Sequence, residues 1–228
     1  NMINMDTISV FSSVIKKNLI EKKINSNKYL NVKLNEFNKN PKFKINQINF
    51  KNLLNWKIGK NIIHDLNKKY FSIFFIDVTA NLREVKKWEQ PIISDHFSSY
   101  NGFLVTKINS TFHYLLKLVL EPGLNKPKYT STIFEKNFSL KSKKNIKYRY
   151  LFNKKNCLMN IVNSDEGGRF LKNQTRNIIC EIKDFKKIRL YENFIWASHN
   201  QVIDLINQNK MTIEARNLFA CCNIDKIH

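Results

Sequence analysis

The sequence predicts an α+β fold, a mostly antiparallel or mixed β-sheet with flanking helices and a helical arm in front. Three observations predict it. Runs rich in Phe, Ile, Val and Tyr recur at Tyr70–Val78, Gly102–Ile108 and Phe112–Leu120, punctuated by Asn109–Ser110 and Pro122–Gly123. Helical patterns lie outside this block, over 7–25 and near Ser198–Gln208. No internal repeat recurs within the 228 residues.

Taken in order, residues 7–25 place Ile8, Phe11, Ile15 and Leu19 at three- and four-residue spacings, an amphipathic helix with a basic outer face. Residues 26–49 are rich in Asn and Lys and contain Pro41, which reads as a linker. The chain is therefore expected to divide into an arm and linker, 1–44, and a folded domain, 45–228. Within the domain, Gly102–Ile108 and Phe112–Leu120 form a β-hairpin around Asn109–Ser110. Residues 136–160 are basic and irregular. Residues 161–228 run strand, loop, strand and then the helix near Ser198–Gln208.

Composition narrows the class. A hydrophobic fraction of 43%, with 12% aromatic, supports a sizeable core and excludes wholesale disorder. The longest apolar run, around Tyr70–Ile76, is broken by Ser72 and too short to span a membrane. Residues 1–25 lack a leader pattern, so a cytoplasmic protein is expected. Cys157, Cys180, Cys221 and Cys222 form no C-x-x-C pair and read as small buried hydrophobes in a reducing compartment. The five histidines show no zinc-type spacing.

The 39 basic and 18 acidic residues leave +21, a surplus that attracts polyanions. Lysines are spread along the whole chain, as at Lys16–Lys17, Lys86–Lys87 and Lys143–Lys144, and no nucleic-acid motif is present. Over nucleic-acid binding by a basic face, the favoured reading is a Lys-, Asn- and Ile-rich composition of the kind an AT-rich genome imposes, with a phosphate-bearing substrate as a secondary beneficiary.

Five segments then carry a resemblance. They are Arg83-Glu84-Val85 with Trp88-Glu89-Gln90-Pro91; Leu120-Glu121-Pro122-Gly123; Ser164-Asp165-Glu166-Gly167-Gly168-Arg169-Phe170; Asn173 to Asn177 around Arg176; and Glu214-Ala215-Arg216. In this order, from about Ile45 to Cys222, they resemble the NDP-hexose 2,3-dehydratase family. Members carry two repeats in one polypeptide, each similar to a Nudix-type fold, and this chain looks like one repeat, closer to the second. The resemblance implies a Nudix-like sheet and elimination of the carbon-3 hydrogen and carbon-2 hydroxyl from dTDP-4-keto-6-deoxyglucose. A base removes a proton acidified by the neighbouring keto group. Cations or donors stabilise the enolate. An acid protonates the departing hydroxyl. No redox cofactor or metal is required, and none is expected. A Nudix metal-binding box is absent, so the fold gives no warrant for hydrolysis.

The resemblance names Glu166, Glu121 and Arg169 as catalytic candidates. Beside Glu166, Gly167 and Gly168 let a ligand approach the backbone. Substrate contacts fall to Arg83, Trp88, Gln90, Lys117, Asn173, Arg176 and Arg216. The arginines suit diphosphate recognition in a chain whose default cation is lysine, and Trp88 suits stacking on the base. The bland alternatives are a solvated turn at Asp165–Glu166, an ion pair between Arg169 and Glu166, and a surface carboxylate at Glu121. Trp196 reads as core and His113 as a satisfied strand histidine, with Tyr114 a second-line candidate. The chain departs from the family pattern at Val119 and Phe134, where lysine and glutamine are usual, and in Trp196-Ala197-Ser198-His199-Asn200-Gln201, where Trp-x-Thr-x-x-Gln is usual. Three functions stay open: a dehydratase working as a homodimer of single repeats, a degenerate nucleotide-binding or assembly subunit, and a basic nucleic-acid-binding protein.

Overall fold

The computed structural model describes residues 22–38, 43–67, 70–96, 98–136 and 147–222. The helix expected over 7–25 lies outside them, apart from 22–25, which are not helical. The described residues form two sheets. The smaller is an antiparallel meander of β1 (Trp56–Ile58), β2 (Ile62–Asp65), β3 (Phe71–Thr79) and β4 (Lys87–Asp95). The larger contains β5 (Ser99–Ile108), β6 (Thr111–Val119), β7 (Lys128–Thr130), β8 (Ile133–Lys136), β9 (Cys157–Ser164), β10 (Gln174–Glu181) and β11 (Phe194–Ser198). Its order is β11-β6-β5-β10-β9, with β7 on β6 and β8 on β5. The β5–β10 pair is parallel and the other pairs of this sheet are antiparallel. The α+β reading with a mixed sheet therefore holds.

The expected hairpin is β5–β6. Asn109 (φ 46°) and Ser110 (φ 65°) make a two-residue loop with both φ values positive, the turn whose twist matches the strands it joins. The two strands pair directly only over Val105–Ile108 and Thr111–Tyr114. Beyond that they part, and β8 takes the edge of β5 while β7 takes the edge of β6. Thr132 sits where they part. Its hydroxyl accepts from Leu104 N–H at 2.9 Å and donates to the Leu115 carbonyl, so one side chain satisfies two backbone groups that the split would orphan.

Alternation along the strands gives the large sheet two apolar faces. On one, Phe103, Val105, Tyr114, Leu116 and Ile179 pack against helices α1 (Asn27–Asn38), α2 (His199–Asn207) and α3 (Ile213–Cys221). On the other, Tyr100, Leu104, Leu115, Ile178, Cys180 and Trp196 pack with Phe152 and Ile182.

Helix α1 departs from the linker expected over 26–49. Ser26 Oγ accepts from Tyr29 N–H, Leu30 and Leu34 are buried one turn apart, and Tyr129 donates its hydroxyl to the Leu30 carbonyl at 2.8 Å. Leu30 and Leu34 at i and i+4, with Phe37 packed against the same core, form the stripe that docks the helix. Helix α2 starts at a capping box of Ser198 and Gln201 and ends with Asn209 at φ 55°. There Lys210 N–H reaches the Leu205 carbonyl and Asn209 N–H the Ile206 carbonyl.

The sheets meet at the free edge of β4. Ile93 N–H donates to the Arg169 carbonyl and Leu171 N–H to the Ile93 carbonyl, both at 2.8 Å. The 165–173 loop is thereby laid against the small sheet.

Candidate functional site

Six of the expected site residues gather at this junction. Trp88 and Gln90 are two apart on β4 and so share a face. Trp88 Nε1 donates to Gln90 Oε1 at 2.6 Å, and Gln90 Nε2 donates to the Gly168 carbonyl. The Arg83 guanidinium lies over the Trp88 ring, 5.9 Å from its centre. Asn173 is buried and fully engaged with Asp95: Oδ1 accepts its N–H at 3.2 Å and Nδ2 donates to Oδ2 at 2.8 Å. It holds the loop in place. Glu166 and Arg169 form an exposed ion pair at 3.4 Å, a geometry of small energetic weight. Gly167 and Gly168 have no positive φ, and a Cβ on either would meet open space. Neither packing nor backbone conformation requires glycine there.

A buried polar row leads away from the loop on the helix-bearing face. Thr175 donates to Asp165 Oδ1 at 2.7 Å. Two residues on, Asn177 Oδ1 accepts from Asn101 Nδ2 at 3.1 Å, and the same amide nitrogen donates to the Glu214 carbonyl at 2.8 Å. Ser131 donates to Asn101 Oδ1 at 2.6 Å. Thr130 and Thr212 join hydroxyls at 2.9 Å, and Thr212 caps α3. The row ends where β5 and β6 part, and there Glu121 follows β6 while Glu214 opens α3. Glu121 lies exposed at the surface, yet partial desolvation of its carboxyl, and then the Glu214 carboxylate, raise its pKa above its ordinary value. A carboxyl so placed holds its proton into a higher pH range. Arg216, on the same helix, has a buried Nε with no hydrogen-bond partner among the described residues.

Lys117 and Arg176 are not brought to this row. Arg176 alternates with Asn177, and Lys117 with Leu116 and Leu118, which places both on the opposite face. Arg176 Nη1 there donates to Asn160 at 2.8 Å. Trp196 is core, edge-on to Phe185. His113 is fully buried, with Nε2 at 2.8 Å from the Lys22 carbonyl. Tyr114 is core too, its hydroxyl 3.1 Å from His199 Nδ1. Sequence reasoning missed Asn101, Ser131, Asn177 and Glu214 as members of the site. The signal available was Asn101, a lone amide inside an apolar strand, and the Glu214 of Glu-Ala-Arg.

The model of the family described as NDP-hexose 2,3-dehydratase matches residues 27–222. Curated relatives named dTDP-4-dehydro-6-deoxy-alpha-D-glucopyranose 2,3-dehydratase are similar to this chain. That of Saccharopolyspora spinosa is 24% identical over 190 residues, 78% of this chain and 38% of the relative. That of Amycolatopsis orientalis is 23% identical over 195 residues, 78% of this chain and 41% of the relative. The chain spans about two fifths of the length of these relatives. Among solved structures, C. elegans Ap4A hydrolase is similar at 10% identity with a TM-score of 0.33, covering 49% of this chain and 86% of that one.

Proposed function

The chain belongs to the NDP-hexose 2,3-dehydratase family, and from that premise we propose that it acts on a dTDP-linked 4-keto-6-deoxyhexose, removing the carbon-3 hydrogen and the carbon-2 hydroxyl. The observation that carries the reading is the polar row. It links a cluster suited to a nucleotide diphosphate, at Arg83, Trp88, Gln90 and Arg169, to a carboxyl pair suited to proton transfer, at Glu121 and Glu214. An NDP-sugar is a long ligand with those two demands at opposite ends. The open space at Gly167 and Gly168 suits approach of the diphosphate.

In this assignment Glu121 protonates the departing hydroxyl, because its raised pKa keeps the proton available. Arg216 Nε, buried without a partner among the described residues, offers a donor to developing negative charge. Glu166, already paired with Arg169 in solvent, is the second choice for acid–base work. Turnover of the keto sugar, coupled to a 3-ketoreductase, tests the order. Glu121→Gln should lose roughly 10²–10⁴-fold, the usual worth of general acid–base catalysis, and Glu166→Gln distinctly less. The reverse order would move the chemistry to the 165–173 loop.

The second reading, a nucleotide-binding subunit without turnover, is favoured by Phe134, which lies opposite Asn101 where the resemblance pattern has glutamine. The two readings part on one result, thermal stabilisation by dTDP without elimination. For assembly we propose a homodimer. Supporting it, Tyr70, Phe75, Ile58 and Leu66 on and around the small sheet are large apolar side chains left exposed, and a two-fold dimer is the simplest way to cover such side chains. Light scattering on the 228-residue chain should give twice 27.1 kDa. The cytoplasm is the proposed compartment, in keeping with four free cysteines. Among the described residues no helix is long and apolar enough to cross a membrane.

A further inference from the structure

Cys157 opens β9 and Cys180 lies near the end of β10. The antiparallel register between these strands is not uniform. Ile179 faces Met159, and then the register shifts, so that Cys180 faces Cys157 and not Leu158. This is a β-bulge, with one extra residue on β9. In an unbroken ladder Cys157 would point to the opposite face from Cys180. The bulge turns it, and the two thiols share the face formed by Tyr100, Ile178 and Trp196 while Leu158 and Met159 pack on the other.

Directly opposed residues of antiparallel strands have Cα atoms about 4.5 or 5.5 Å apart. A disulfide spans about 4.4–6.8 Å between Cα atoms. Both cysteines are free, Cys180 is fully buried and Cys157 is partly exposed. One thiol is thus reachable from solvent and the other is held behind it. Cys157 Sγ also lies 3.2 Å from the Met159 carbonyl.

We propose that Cys157 and Cys180 form a reactive dithiol, a modification site that closes reversibly to a disulfide on exposure to a low-molecular-weight disulfide. Cys157 is the attacking thiol. A hydrogen bond from Cys180 lowers its pKa to about 7, and burial opposes this only partly. The same contact, with burial, pushes Cys180 up. The Cys157 thiolate attacks one sulfur of the small disulfide, whose S–S bond breaks, and a first small thiolate leaves and takes a proton from water. Cys180 then gives its proton to solvent, and its sulfur attacks the Cys157 sulfur. The mixed disulfide breaks and the second small thiol departs. Two protein thiols are oxidised and one small disulfide is reduced to two thiols.

The position gives the step a consequence. Residues 158–179, enclosed by the link, include Glu166, Arg169 and Asn173, so the disulfide staples the base of the hairpin that carries the junction loop. Cys221 and Cys222 do not compete. Burial raises both their pKa values, and Cys222 is almost fully covered.

The test is oxidised glutathione added to the native chain at neutral pH, followed by alkylation, intact mass and peptide mapping. The expected product is a Cys157–Cys180 linked peptide with no glutathione retained, reversed by dithiothreitol. Cys180→Ser should trap one glutathione on Cys157, and Cys157→Ser should leave Cys180 unmodified. An unmodified native chain, glutathione retained on native Cys157 beside a free Cys180, or first reaction at Cys221 or Cys222 would each overturn the proposal. The unsubstituted chain decides alone where a variant does not fold.

Discussion

Replacing Thr132 by valine tests whether one hydroxyl holds open the fork in the large sheet. Thr132 is buried, with 2% of its surface exposed. Valine keeps its shape and removes the hydroxyl that serves Leu104 N–H and the Leu115 carbonyl. Each buried backbone group left unpaired costs about 1–3 kcal/mol, so the two together cost about 2–6 kcal/mol. The methyl that replaces the hydroxyl returns about 0.8 kcal/mol of burial. The net loss is about 3 kcal/mol, a large share of the 5–15 kcal/mol that typically separates folded from unfolded domains. At this chain length it corresponds to a fall in Tm of roughly 6–12 °C. Urea unfolding should show a lowered midpoint with an unchanged slope. Thr132→Ser keeps the hydroxyl and should cost only about 1 kcal/mol for the missing methyl. A valine variant within about 0.5 kcal/mol of the parent, the range of ordinary surface changes, would refute the bridging role. So would a serine variant as damaged as the valine one.

Two further outcomes follow from the same region. A Cβ at Gly102 would come within 2.5 Å of Phe152 Cε1 and 3.1 Å of Ile178 Cγ2, so Gly102→Ala should cost about 1–3 kcal/mol by overpacking, and Phe152→Leu in the same chain should recover part of it in chemical denaturation. Glu121 has a folded-state pKa raised above the ordinary 4.5, so the folded chain holds this proton more tightly than the unfolded one. Ionising it therefore takes away stability as pH rises from 4.5 through the folded value. Glu121→Gln removes that loss, and the stability difference should grow in favour of the variant across this window; a flat or reversed difference would show that the pKa is not raised.

The strands and the hairpin were legible because their signals are local. Alternation and a two-residue turn of Asn109 and Ser110 depend on neighbours in sequence. The fork was not legible, because it depends on Thr132 meeting Leu104 and Leu115, 28 and 17 residues away in sequence. Helix α1 was missed for a different reason: Leu30 and Leu34 form a narrow stripe that Asn and Lys dilute in any window average. Glu166 drew attention beside two glycines, yet the structure leaves it in an exposed ion pair. Glu121 looked like a hairpin-end carboxylate, and its partner Glu214 comes from a helix more than ninety residues away. The motif segments lie far apart in sequence, and the sheet topology decides which of them meet.

The polar row has a stability argument against it. Asn101 and Asn177 on strands of the large sheet, and Ser131 in the link between β7 and β8, occupy buried positions where apolar side chains would pack without any need for matched donors and acceptors. The fold meets that need: the Asn101 amide serves Asn177 and Glu214, and its carbonyl takes the Ser131 hydroxyl. Such networks fix geometry more than they add stability. Here the geometry fixed is that of α3 against the start of β5, since the Glu214 carbonyl is anchored on Asn101. Anchoring that helix sets two groups at once, the Glu214 carboxylate that helps to raise the Glu121 pKa and the Arg216 Nε, buried without a partner among the described residues. A buried donor left open costs about 1–3 kcal/mol, a cost that the folded chain recovers when an oxygen arrives. Under the proposed function a sugar nucleotide supplies that oxygen, and the unmet donor and the proton-holding carboxyl would then serve one reaction.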